Sequence, residues 1–131
     1  MTHTFSARLN RLFDLVHPPG RWPHTSAEVV GALRDQGVHI SAPYMSQLRS
    51  GTRTNPSKDT IETLAKFFRI DAAYFTDDVY FTKINRELEV LAALRDEQVR
   101  SIAARTVGMS WHAKQILFDS IDEARQRERL V

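Results

Sequence analysis

Residues 41–57 read SAPYMSQLRSGTRTNPS, and this stretch decides both the fold and the surface that the chain offers. Ser41 is a residue type that caps helix N-termini, and Pro43 suits the first helical turn. Gly51 can adopt the left-handed backbone that ends many helices. The stretch therefore predicts a short capped helix followed by a polar loop.

The predicted helix has two different faces. Met45 and Leu48 are three positions apart and should face a core. Another face is polar or small and uncharged, and it carries Pro43, Ser46, Gln47 and Ser50. Hydroxyl and amide groups on a small, well-held helix are suited to reading base edges in the major groove of double-stranded DNA.

Charge around this helix supports the same interpretation. No acidic residue lies between Asp35 and Asp59, while Arg49, Arg53 and Lys58 are basic. Net charge is only +2 for the whole chain, but residues 1–70 carry nine Lys/Arg against five Asp/Glu, a balance of +4. Residues 71–131 carry nine against eleven, a balance of −2. This split indicates a DNA-facing module joined to an interaction module.

The rest of the chain predicts an all-α fold. Apolar residues recur at helical spacing, and no stretch shows sustained strand-like alternation. The stretch VYFTKI, residues 79–84, favours β-structure by composition but continues into a helix-forming segment, so we predict a helix there. Helices are expected at about 5–16, 25–36, 41–50, 57–68, 71–76, 79–95, 99–108 and 110–124.

We predict two domains, 1–78 and 79–131, with the boundary at the acidic end of TDD. The C-terminal segments are marginal for an independent core. Their apolar stripe either fills an intramolecular core or pairs across a two-fold axis to form a homodimer. The candidate dimerisation residues are Leu88, Leu91, Leu117 and Ile121.

Several classes of protein are not expected. There is no cysteine, which excludes disulfides, thiolate zinc sites and cysteine nucleophiles. The five histidines form no metal-ligand pattern, and neither a GxSxG motif nor a glycine-rich phosphate loop occurs. We therefore expect no enzyme, cofactor or metal. No apolar run approaches the length of a membrane span and no signal-peptide core is present, which favours a cytoplasmic location without membrane attachment.

The stretch YMSQLRSGTRTNPSKDTIETLAKFFRIDAAYFTDD resembles the phage-repressor-like XRE family of helix-turn-helix regulators. The resemblance covers about residues 5–78 and implies a five-helix DNA-binding domain. The segments TFSARLNRLFD and PPGRWPHTSAEV further resemble nucleoid-associated regulators. That resemblance implies a small helical dimerisation domain, a place in the nucleoid, and assembly of higher order on DNA that bridges duplexes.

Three departures from the family pattern stand out. GVHIS adds about two residues to the turn before the third helix, and the loop 17–25 is long. Family members commonly pair an arginine of the first helix with a glutamate of the third, but here those positions hold Phe13 and Arg49. Since no glutamate holds it, we expect Arg49 to be free to point at DNA.

The base-contacting residues are expected on the third helix. The Gln47 amide can donate and accept together, as adenine requires. Ser46 and Tyr44 could each add a hydrogen bond, and Pro43 could meet a thymine methyl group. Tyr44 could instead pack against the loop 17–25.

The phosphate-contacting residues are expected around that helix. Arg49 and Arg53 would bind phosphate, with base or minor-groove contact as an alternative, and Asn55 would be a neutral donor. Thr25 and Ser26 begin the second helix, where free amides and the positive end of the dipole favour a phosphate.

Together these features predict a DNA-binding transcriptional regulator with architectural, DNA-bridging behaviour, reading the major groove with residues 43–50. Two alternatives stay open: a repressor or antitoxin that recognises a single operator, and a protein-interaction adaptor that no longer binds DNA.

Overall fold

A computed structural model describes residues 4–18 and 20–130 of the chain, and within them it contains helices and no strand. The all-α prediction is confirmed, including the helix across residues 79–84. The helices are α1 Phe5–Leu15, α2 Ser26–Asp35, α3 Ala42–Ser50, α4 Lys58–Phe68, α5 Ala73–Thr76, α6 Asp78–Ala93, α7 Glu97–Arg105 and α8 Trp111–Arg127.

Hydroxyl caps start three of the first four helices where the sequence predicted them. The side-chain oxygens of Thr25, Ser41 and Ser57 each accept a hydrogen bond from the backbone N–H three residues later, at 3.1 to 3.2 Å. These bonds satisfy amides that a helix leaves unpaired at its N-terminus. The start of α3 is thus fixed by local chemistry.

The described residues fall into two compact units that divide after Ala92. The first unit holds α1 to α5 and nearly all of α6, so it extends beyond the boundary predicted at Asp78. The reason is Phe81, which is 2% exposed and belongs to the same core as Leu9, Leu12 and Tyr74.

The core of the first unit is built around α1. Phe13 meets Phe68 edge to face, with ring centroids 5.3 Å apart. α3 packs against both α1 and α2, and α1 also packs against α5. The buried apolar residues are Leu9, Leu12, Phe13, Val29, Val30, Leu33, Ile40, Met45, Leu48, Leu64, Ala65, Phe68, Tyr74, Phe75 and Phe81.

A buried arginine fastens α6 to α1. Arg8 is 3% exposed, and its guanidinium donates to the Tyr74 carbonyl at 3.1 Å, pairs with the Asp78 carboxylate and lies 4.5 Å from the Phe81 ring centroid. The Tyr74 hydroxyl returns a hydrogen bond to the Arg8 carbonyl at 2.8 Å. Burial raises the pKa of Tyr74, so its phenol stays protonated and keeps donating.

Arg11 adds a second tie between the same two helices. Its Nε donates to Asn85 at 3.0 Å and its Nη2 to Glu89 at 2.6 Å. Through Arg8 and Arg11 together, polar side chains of α1 reach both the start and the middle of α6. The predicted boundary at Asp78 is therefore bridged by hydrogen bonds.

The second unit contains α7 and α8. Asp96 caps α7 and Ser110 caps α8 through side-chain oxygens. No residue of this unit is buried within the range 93–130 that the structure describes. Its apolar side chains therefore lack the enclosure that a folded core provides.

Across the described ranges 4–18 and 20–130, every helix is too short or too polar to cross a lipid bilayer.

We predict opposite effects for two glycine-to-alanine substitutions. Gly51 has a φ of +84°, and an added Cβ would lie 3.3 Å from Ser6 Oγ, so Gly51→Ala should lower the free energy of unfolding by about 1–2 kcal/mol. Gly31 lies inside α2 and a Cβ there meets nothing within 4 Å, so Gly31→Ala should raise it by about 0.5–1 kcal/mol. Urea denaturation followed by circular dichroism measures both. Equal effects of the two substitutions would contradict the assigned backbone geometry.

Candidate nucleic-acid interface

α3 presents the two faces that the sequence predicts. Met45 and Leu48 are fully buried, whereas Pro43 and Ser46 are exposed and Gln47 is partly exposed. The buried pair anchors α3 against α1 and α2. A polar, uncharged helical face is therefore held in a fixed orientation on the surface of the first unit.

Arg49 is held inside the first unit, so the expectation that it lacks an intramolecular partner is wrong. Its guanidinium carbon lies 3.8 Å from the centroid of the Phe13 ring. Nε donates to Asn10 Oδ1 at 2.8 Å, and Nη1 donates to Ser26 Oγ at 3.0 Å. An aromatic face and two neutral oxygens thus take the place of the carboxylate that the family pattern led us to look for.

Asn10 completes this arrangement and was missed by the sequence interpretation. Besides accepting from Arg49, it donates from Nδ2 to the Arg49 carbonyl at 3.0 Å. The available signal was spacing: Asn10 and Phe13 are three residues apart on α1 and so share a face. Both contact the same guanidinium.

The loop after α3 folds back onto the polar face of the helix. The backbone N–H of Arg53 donates to the Gln47 carbonyl at 3.1 Å, and Arg53 Nε donates to Gln47 Oε1 at 3.1 Å. Ser50 Oγ also donates to the Gln47 carbonyl at 3.2 Å. The structure thereby brings together two residues that the sequence placed in separate roles, one at a base and one at a phosphate.

The N-terminus of α2 lies beside the C-terminal half of α3. Ser26 contacts Arg49, as described above, and the adjacent Thr25 caps α2 through its hydroxyl oxygen. Thr25 is exposed and Ser26 is partly exposed. The free amides at the start of α2 and the polar face of α3 are consequently parts of one surface.

The other predicted contact residues take different positions. Asn55 is exposed in the loop before α4. Tyr44 is partly buried and packs against the core of the first unit. In the loop before α2, Trp22 is 88% exposed, whereas His24 stacks edge-on against Phe67 with centroids 5.6 Å apart.

The four predicted dimerisation residues do not share one environment. Leu88 is partly buried against the core of the first unit, while Leu91 is 59% exposed. In the second unit, Leu117 is partly exposed and Ile121 is 41% exposed. Within the described ranges no group of three or more His, Asp or Glu side chains is placed to hold a metal ion.

Comparison with known proteins identifies close relatives. No protein-family model matches the chain. The chain is 59% identical over 128 residues to the nucleoid-associated protein EspR of Mycobacterium tuberculosis, in both strain CDC 1551 / Oshkosh and strain H37Rv. Each alignment covers 98% of this chain and 97% of the relative. At this identity over almost the full length of both proteins, the chain belongs to the EspR family.

Proposed function

We propose that this chain is a DNA-binding transcriptional regulator with nucleoid-associated, architectural behaviour, and that α3 enters the major groove. The observation that carries the proposal is the outward polar face of α3, a helix anchored by the buried Met45 and Leu48. The relationship to EspR, which its name describes as nucleoid-associated, supports the same class of function.

In this proposal α2 and α3 are the helix-turn-helix of an XRE-type domain. Ser46 and Gln47 face the bases, and Pro43 at the start of α3 lies against a thymine methyl group. The α2 N-terminus, with Thr25 and Ser26, binds a phosphate through its free amides. Asn55 in the following loop donates to the backbone of the same duplex.

Arg49 acts in the proposal as a positioning residue. Because its guanidinium is engaged by Phe13, Asn10 and Ser26, it sets the angle of α3 against α1 and α2. The angle of the recognition helix decides which side chains reach base edges. Arg49 therefore matters for DNA binding even though its charge is turned inward.

The second unit is proposed to pair with a second copy of the chain. No side chain of residues 93–130, as described, is buried, although α7 and α8 carry exposed apolar residues such as Ile102, Trp111 and Ile121. Pairing would enclose these side chains and offset the cost of exposing them to water. The proposed contacts are Leu117 and Ile121 of the second unit and Leu91, which lies at the end of the first unit, while Leu88 already packs within the first unit.

A homodimer of this kind carries two copies of α3. Two reading helices can engage half-sites on one duplex or hold two separate duplex segments. The second mode bridges DNA and leads to assemblies of higher order along it. A protein that bridges DNA in this way is expected in the nucleoid. A repressor or antitoxin that recognises a single operator would use only the first mode.

We predict strongly salt-dependent DNA binding that depends on Gln47. Raising the salt concentration from about 50 to 200 mM should weaken binding roughly 10³-fold if about six phosphates are contacted. Gln47→Ala should weaken preferred sites about tenfold and random duplexes much less, because it removes a base contact and leaves the proposed phosphate contacts of α2 and Asn55 in place. Fluorescence anisotropy with labelled duplexes measures both, with Arg34→Ala on exposed α2 surface as the control. Absence of binding to any duplex at micromolar protein would instead favour the adaptor function.

Arg49→Ala should lower the free energy of unfolding by about 2 kcal/mol, since it removes a cation–π contact and two hydrogen bonds. DNA affinity should fall with it. Asn10→Ala is the matched variant, because it disturbs the same arrangement from α1 without touching the polar face of α3. Chemical denaturation and anisotropy report the two quantities. Loss of affinity in Arg49→Ala but not in Asn10→Ala would show that Arg49 contacts DNA itself.

Ile121→Glu should convert the proposed dimer to monomer by weakening self-association about thirtyfold or more, because it places a charge at the paired face. Sedimentation velocity across a concentration series gives the mass of the species. Trp22→Gln is the control, since it changes an apolar residue of the first unit that is even more exposed than Ile121. A monomeric wild-type protein at all concentrations would contradict the pairing.

A further inference from the structure

The amide of Gln47 is not free, because Arg53 bonds to it. Arg53 Nε donates to Gln47 Oε1 at 3.1 Å, and the Arg53 backbone N–H donates to the Gln47 carbonyl at 3.1 Å. The chain must reverse direction between the two residues, and Gly51 allows this with its left-handed backbone, φ +84° and ψ +6°. Two bonds from one residue thus hold both the backbone and the side chain of Gln47.

This contact changes what Gln47 offers to a base. An unbound glutamine amide accepts with its oxygen and donates with its nitrogen, and it matches the N6 and N7 edge of adenine. Here the guanidinium occupies one of the two lone pairs of Oε1 and sets a positive charge beside it. The amide Nε2 hydrogens and the terminal guanidinium hydrogens have no hydrogen-bond partner among the described residues. The Gln47–Arg53 pair therefore presents mainly donors and positive charge.

The major-groove edges of the two purines respond differently to such a surface. Guanine offers two acceptors, N7 and O6, whereas adenine offers the acceptor N7 beside the donating N6 amino group. Hydrogens of the N6 group carry partial positive charge and are repelled by a guanidinium, while O6 is attracted to it. The pair is thus complementary to guanine.

We propose that the Gln47–Arg53 pair reads guanine, and that Arg53 sets this preference by holding the Gln47 amide. The inference rests on the proposed DNA-binding function and revises two sequence expectations, adenine for Gln47 and phosphate for Arg53. Arg53 acts here as a positioning and specificity residue, and its terminal nitrogens add donors toward the same base.

A phosphate role for Arg53 leads to different behaviour on substitution. Lysine keeps the positive charge and so would preserve a phosphate contact. It lacks the guanidinium fork, which can donate to Gln47 Oε1 from one nitrogen and still donate elsewhere from the others. Arg53→Lys therefore distinguishes a contact that needs only the positive charge of residue 53 from one that needs its guanidinium bonded to Gln47.

The experiment uses the full-length protein and a library of random-sequence duplexes, selected for binding and sequenced. Wild type and Gln47→Ala, Arg53→Ala, Arg53→Lys and the control Arg34→Ala are compared. Wild type and Gln47→Ala are compared position by position along the selected sequences. The position at which wild type shows a base preference and Gln47→Ala shows none is the position that Gln47 reads. At that position we expect guanine over adenine by about tenfold in wild type and Arg34→Ala. Both Arg53 variants should lose this ratio or shift it toward adenine.

A chemical probe of the guanine edge completes the test. A duplex of the enriched sequence carrying 7-deazaguanine at the mapped position lacks the N7 acceptor. It should bind wild type about tenfold more weakly than the unmodified duplex and should bind Arg53→Ala nearly unchanged. Circular dichroism of each variant verifies that its helices are intact, so that only folded proteins are compared.

The outcomes separate this inference from the proposed function. DNA binding with adenine at the Gln47 position, or a guanine preference that both Arg53 variants retain, would overturn the inference and leave the proposed function standing. Wild type that selects no duplex would overturn both. A guanine preference lost in Arg53→Lys as well as in Arg53→Ala supports the paired geometry.

Discussion

The guanidinium of Arg49 stacked on the ring of Phe13 is the contact on which the arrangement of the first three helices depends. One side chain of α3 reaches an aromatic ring and an amide on α1, and a hydroxyl at the start of α2. The apolar core sets how closely α3 approaches its neighbours, but apolar contacts are non-directional. Together with the burial of Met45 and Leu48, the directional bonds from Arg49 fix the rotation of α3 about its axis, so that Ser46 is exposed and Gln47 is partly exposed.

Most of the fold could be predicted because the signals for helices are local. Ser41 and Ser57 cap the helices predicted for them, since capping needs only a side-chain oxygen and the amide three residues on. The environment of Arg49 could not be predicted in this way. Absence of glutamate suggested a free cation, yet a cation is also satisfied by an aromatic face and neutral oxygens from distant positions. Those partners, Phe13, Asn10 and Ser26, are brought together only by tertiary folding.

The extent of the first unit is a second feature that depends on long-range contacts and could not be predicted from local sequence. Arg8 lies one turn from Leu12 on the apolar side of α1 and is buried there, but this burial was not predicted, because a cation is usually exposed. Its partners beyond residue 70 were not evident, because the acidic TDD segment is typical of both a linker and a helix start. In the structure Asp77 caps α6 through its carboxylate, while Asp78 pairs with Arg8. Long-range pairing therefore makes α6 part of the first unit.

Several arginines of the first unit make intramolecular contacts, and this helps to explain why the proposed regulator would bind DNA as a homodimer. Of the nine Lys/Arg residues in the first seventy positions, Arg8 and Arg49 are engaged within the first unit, and Arg11 pairs with Glu89. Fewer cations are then available for phosphates, and phosphate neutralisation supplies nearly all of the non-specific affinity for DNA. In the proposed regulator, a single first unit with a short α3 would bind DNA weakly by itself. In the proposed homodimer, joining two copies through the C-terminal helices would make the second contact with DNA intramolecular and so raise the overall affinity without adding charge.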